Sequence, residues 1–274
     1  MAFFRKVLKI LEITMKTPKL YGWFHLLCLG IMVGAAVVLC TRYRKIPKNG
    51  IRKGVMAVAI ITILLEVYKQ IVFTFDPIKG GISMDYQWYA FPFQFCSTPM
   101  YAGLLTGVFR KGKIHEALCA YLASYSIFAG CCVMFYPAQV FIDTVGINIQ
   151  TMFWHGGMVV VGIWLLATGY VRVNKTTILK AMCVFLCFIG VAMVMNEIAY
   201  HSDLIDEAFN MFYISPHLPS TLPVYSAIHK ALPYPISLTI YVLAFTMAAD
   251  LILCVGYFFQ NLSHYAHKKT MVLR

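Results

Sequence analysis

The apolar residues of this chain fall in blocks of about 20, a length that leaves few folds open. A helix of about 20 residues rises roughly 30 Å, the thickness of the hydrocarbon core of a bilayer. Soluble domains instead repeat apolar residues in narrow stripes. The chain is 60% hydrophobic and 12% charged, whereas a soluble domain carries about 25% charged residues. Backbone inside lipid must satisfy its own hydrogen bonds, and blocks this long do so as helices. The expected fold class is all-α: a polytopic helical membrane bundle of about seven transmembrane helices.

The seven expected spans cover residues 20–41, 54–75, 92–109, 116–136, 149–171, 178–200 and 236–259. Asp76-Pro77 stops the second and Pro137 the fourth, because proline breaks the hydrogen-bond ladder. The third is short. Lys and Arg cluster in alternate loops: six between Arg42 and Lys53, then Arg110, Lys111 and Lys113, then Arg172, Lys175 and Lys180, then Lys268, Lys269 and Arg274 in the tail. The other loops hold Lys79 and Lys230 alone. Fifteen against two sets the basic side as cytoplasmic by the positive-inside rule. With seven spans the N-terminus then lies outside, against the five basic residues of its own segment.

Residues 2–16 place Phe4, Val7, Leu8, Leu11 and Met15 at helical spacing, with Arg5, Lys6, Lys9, Glu12 and Lys16 facing away. That pattern predicts an amphipathic helix lying in the membrane interface. The expected layout is therefore an interfacial segment over 1–19, a seven-span domain over 20–260 and a cytoplasmic tail over 261–274. The 201–235 loop carries five prolines and is long enough to cap the bundle.

The net charge of +12 would suggest nucleic acid in a soluble chain. Here the basic runs flank apolar blocks without interleaved aromatics, so the expected anionic partner is membrane lipid, not nucleic acid. The nine cysteines lack metal-ligand spacing and lie in or beside apolar blocks, which makes small packing residues of most of them. No metal and no cofactor is implied.

Polar groups at bilayer depth are costly, so each is a functional candidate. Glu66 and Lys69 share a helix face near the outer end of the second span and can pair. Gln94 and Cys96 open the third span. His155 lies near the outer end of the fifth, followed by Gly156-Gly157. Asn196, Glu197 and Tyr200 end the sixth, and Asn210 follows in the loop. Five segments thus place polar side chains at one level. An ordinary ion pair, a packing thiol and a satisfied histidine would account for Glu66/Lys69, Cys96 and His155 taken singly. Together, Cys96 and His155 have the chemistry of a nucleophile and its base. Asp250 stands apart in mid-span seven.

The stretch Phe91-Pro92-Phe93-Gln94-Phe95-Cys96, His155, Glu66, and Asn196 followed by Asn210-Met211-Phe212-Tyr213 resemble the motifs of the YwaF-like family of integral membrane proteins. That family is distantly similar to a vertebrate branch of transmembrane acyltransferases. The bacterial proteins often carry His where this chain has Gln94. The resemblance implies acyl transfer between lipids, with Cys96 as the acyl-accepting nucleophile, His155 as its base, and Asn196 and Asn210 contacting an oxyanion or headgroup.

Lipid acyl transfer or hydrolysis in the cell membrane is therefore the first expectation, with Glu66, Lys69, Gln94, Asn196, Tyr200 and Asn210 around the substrate. The alternative is a transporter or binding protein for a small solute or lipid, using Asp250 and Glu66/Lys69. No duplicated halves of the kind found in many transporters are visible. A seven-span receptor is a third reading; a retinal pigment needs a Schiff-base lysine, and span seven has none, which argues against that form of it.

Overall fold

In a computed structural model, residues 2–77, 81–202, 205 and 209–272 are described. Lys79 and Arg274 lie outside them. Six helices are long and apolar enough to cross a membrane: α2 (Trp23–Arg42), α3 (Lys48–Val72), the stacked pair α5 (Gly112–Leu122) and α6 (Tyr125–Phe135), α7 (Val145–Ala167), α8 (Thr177–Tyr200) and α10 (Tyr234–Val272). Three shorter helices complete the described set: α1 (Ala2–Leu11), α4 (Thr98–Val108) and α9 (Tyr225–Ala231). The chain is a multi-pass α-helical membrane protein. Beyond residue 260, expected to be a cytoplasmic tail, the backbone stays helical to the end of α10.

The short third span expected over 92–109 is helical only in its second half. Residues 92–109 form the 11-residue α4, preceded by two short 3-10 turns, Trp88–Ala90 and Phe95–Ser97. Pro92 and Pro99 bar an α-helix across the first half of that stretch, and the hydropathy comes from Phe91, Phe93 and Phe95. Hydropathy cannot distinguish an apolar helix from an apolar coil buried in protein, where irregular backbone is tolerated at membrane depth. Helix α4 runs antiparallel along α3. A Cβ on Gly103 would lie 2.8 Å from that of Ala59, and one on Gly107 would lie 2.6 Å from the Met56 side chain. The N-terminus of α4 therefore starts partway along α3, inside the bundle.

The α5/α6 break falls at Ser124, whose φ/ψ of −137°/−82° is not helical. Its hydroxyl donates back to the Ala120 carbonyl at 2.7 Å. Helix α7 fits into the break at Gly162, where an added Cβ would lie 2.6 Å from the Leu122 oxygen. Gly130 of α6 comes equally close to the His155 carbonyl, 2.7 Å for an added Cβ. Gln260 ties α10 to the end of α7 by donating to the carbonyls of Leu166 and Val171, at 2.9 and 2.8 Å.

Helix α1 docks where α3 ends and α7 begins. Tyr68 donates to the Leu11 carbonyl at 2.8 Å, and Met15 N–H donates to the Asp143 carbonyl at 2.7 Å. Leu8 is fully buried there. This end of the bundle also carries the short hairpin of β1 (Phe75–Asp76) and β2 (Ser83–Met84). The basic loops lie at the other end, so α1 sits on the side the positive-inside rule makes external. Helix α1 is shorter than the expected 2–16: Ile13–Met15 leave the helix to pair with Asp143–Val145.

Candidate functional site

Helix α7 begins four residues earlier than its expected span, which puts His155 at the middle of the helix rather than near its outer end. His155 is 7% exposed. Its Nδ1 lies 2.7 Å from the Thr151 carbonyl oxygen. A carbonyl only accepts, so Nδ1 carries the proton and Nε2 presents a lone pair. That Nε2 is buried and has no hydrogen-bond partner among the described residues. Buried polar atoms are rarely left so, because each costs free energy on the order of 1–3 kcal/mol.

Cys96 sits in the 3-10 turn before α4 and is half-buried. The neighbour of His155 fixes its backbone: the Trp154 indole N–H donates to the Cys96 carbonyl at 2.8 Å. Thr98 closes the same turn by donating to the Phe95 carbonyl at 2.8 Å. That uses the Thr98 proton, so the Tyr121 hydroxyl, 2.5 Å away, is the donor in their contact. Cys96 and Tyr101 pack with Ile63 against Met100, Trp154 and Met158. Cys96 is thus bonded to the residue next to His155, with no hydrogen bond between Cys96 and His155 themselves.

Lys69 pairs with Glu66 at 2.8 Å. Lys69 is near enough for its charge to act on both Cys96 and His155. Gln70 donates to Glu66 at 2.7 Å and to the Ala90 carbonyl at 2.9 Å, while Tyr86 donates to Gln70 at 2.8 Å. This network ties the irregular 86–90 stretch to α3. Beside it a cavity of about 420 Å³ opens between α3 and residues 92–101, lined by Ile63, Glu66, Gln70, Phe75, Met100 and Tyr101 among others. Met100 also lines a void of about 30 Å³ against Trp154, Gly157 and Met158.

The three amides turn away from that cavity toward one loop. Asn196 accepts from Met211 N–H at 2.7 Å and donates to its carbonyl at 3.0 Å. Gln94 accepts from Phe212 N–H at 2.8 Å and donates to the Asn210 carbonyl at 3.0 Å. Asn210 accepts from Ser215 N–H at 2.9 Å. They hold a turn in which Phe212 and Tyr213 have φ of 59° and 58°. Left-handed backbone is strained for such residues and persists where its surroundings fix it. Phe212 in turn packs on Phe95, with ring centroids 5.9 Å apart.

Tyr200 is exposed at the outer rim and stacks on His217 at 3.7 Å, while His217 lies 3.0 Å from Glu197. Asp250 is exposed on α10, near Tyr125, and does not line these cavities. Among the described residues no cluster of three or more His, Cys, Asp or Glu could hold a metal. Sequence reasoning missed Trp154, Thr151, Gln70, Tyr86 and Met100. Trp154 carried the one available signal, an indole N–H that needs an acceptor in an apolar span.

Six long apolar helices among the described residues define a polytopic membrane protein. The chain belongs to the TMEM164 family, whose model matches residues 20–255. No curated protein and no solved structure matches it.

Proposed function

We propose that this protein transfers acyl chains between lipids, with Cys96 as nucleophile and His155 as general base. The observation that carries this reading is the partnerless, buried Nε2 of His155, with its proton fixed on Nδ1, on the residue next to Trp154, which bonds the Cys96 carbonyl. The likeness of the Cys96, His155 and Asn motifs to YwaF-like proteins and vertebrate transmembrane acyltransferases supports it.

In the proposed reaction the Cys96 thiol gives its proton to His155 Nε2 and the thiolate attacks the ester carbonyl of a donor lipid. The C–O ester bond breaks, a thioester forms, and His155 returns the proton to the departing lipid alkoxide. An acceptor lipid hydroxyl, deprotonated by His155, then attacks the thioester and frees the thiol. Water in the acceptor's place gives hydrolysis. The steps balance without a cofactor. Lys69, held by Glu66 at 2.8 Å, lies on the α3 face beside the same region. The cavity between α3 and residues 92–101 takes the acyl chain from the outer leaflet of the cell membrane. Gln94, Asn196 and Asn210 act as positioning residues, since their amides hold the turn that packs on Phe95. Tyr200 marks headgroup depth.

Transfer of a labelled acyl chain from phospholipid to lysolipid, by the purified full chain in nanodiscs, tests this. Cys96→Ala and His155→Ala should each lower the rate by about 10²-fold or more, with thermal stability close to the parent's. Transfer that persists in both folded variants overturns the reading.

A further inference from the structure

Arg5, Lys6 and Lys9 lie on the side of the bundle that the positive-inside rule keeps poor in basic residues, and α1 is held there by Tyr68 and Asp143. Among the described residues none of the three forms a salt bridge, and the buried Nε of Arg5 has no hydrogen-bond partner. Glu12 and Asp76 lie close enough to repel each other, no salt bridge joins either to the three cations among the described residues, and one oxygen of Glu12 is likewise buried without a partner. The next residue along from these cations touches the site. Phe4 meets Phe75 edge-on at 5.7 Å, and Phe75 lines the lateral cavity that opens between α3 and residues 92–101. Unpaired cations therefore stand at the polar rim of an apolar groove that runs down into the membrane, the charge layout complementary to an anionic phospholipid.

We propose that α1 and the mouth of this cavity bind an anionic phospholipid of the outer leaflet, with the phosphate at Arg5, Lys6 and Lys9 and one acyl chain in the groove. The site shares its groove with the acyl-transfer reading but needs neither Cys96 nor His155. It therefore survives if that chemistry is wrong.

Native mass spectrometry of the full chain tests it, with phosphatidylglycerol or phosphatidylcholine added to the purified protein in detergent. One phosphatidylglycerol should be retained about tenfold or more over phosphatidylcholine, given three charges near one headgroup. The variant Arg5→Gln/Lys6→Gln/Lys9→Gln should lose that preference. Arg52→Gln/Lys53→Gln, at the opposite end, should keep it, as should Cys96→Ala. Millimolar inorganic phosphate should not displace the lipid. Loss of the preference in Arg52→Gln/Lys53→Gln instead, its persistence in the triple variant, or displacement by phosphate alone would overturn the proposal. A bulky Phe75→Trp variant with the cations intact should weaken retention of the same lipid, and unchanged retention would remove the groove from the site.

Discussion

At the scale of single residues, protonation sets the behaviour of one buried and one half-buried group. Thr151 holds the His155 proton on Nδ1, and the lone pair this leaves on Nε2 is what a base needs. Selective alkylation of Cys96 by an acyl-like electrophile should fall at least about tenfold in His155→Ala, since a thiol without its base is a weak nucleophile. Equal labelling of several cysteines in the parent protein would make Cys96 an ordinary packing residue. Glu12 is the second group. Burial, and after it the charge of Asp76, pushes its carboxyl above the usual carboxylate range. A carboxyl that is harder to ionise when docked favours docking while it is protonated. Docking of α1 should therefore weaken as pH rises from the free value of about 4.3 through the raised docked value, and level off above it. Glu12→Gln removes that loss, so amide exchange over Leu8–Glu12 should slow at neutral pH. Faster exchange would show that the carboxylate helps the contact.

At the scale of elements, close approach and strained backbone carry the fold. Gly162→Ala puts a methyl group against the Leu122 oxygen and the Ile127 side chain, so a loss of about 1–3 kcal/mol is expected from overpacking, read as a lowered melting temperature. Asn196→Ala strips two bonds from the Met211 backbone and should cost on the order of 2 kcal/mol. A melting temperature equal to the parent's would mean the left-handed turn stands without Asn196. The long helices were legible in the sequence because block length alone specifies them. The start of α4 was not, since Phe91, Phe93 and Phe95 read as a span while Pro92 and Pro99 forbid one. The depth of His155 was misread for a related reason: polar Asn148 and Gln150 disguise the first turns of α7, although they are buried against protein. Gln94, Asn196 and Asn210 were legible as candidates, but only the structure joins their amides to one loop.

At the scale of the whole molecule, the long apolar helices and the half-length α4 enclose a layer that holds Cys96 and Trp154, the neighbour of His155. The irregular backbone before α4 brings Cys96 into that layer, where a continuous helix would have its amides tied up in its own ladder. The N-terminal segment closes the opposite end from the basic loops and frames the mouth of the lateral cavity. The proposed chemistry requires a covalent acyl-enzyme. Incubation of the purified protein with a phospholipid donor, without acceptor, followed by acid quench and peptide mass spectrometry, reads it directly. A hydroxylamine-sensitive acyl adduct should appear on Cys96 and be discharged by added lysolipid. Acyl transfer that proceeds with Cys96 unmodified, or an adduct on another residue, would contradict the assignment of Cys96 as the nucleophile.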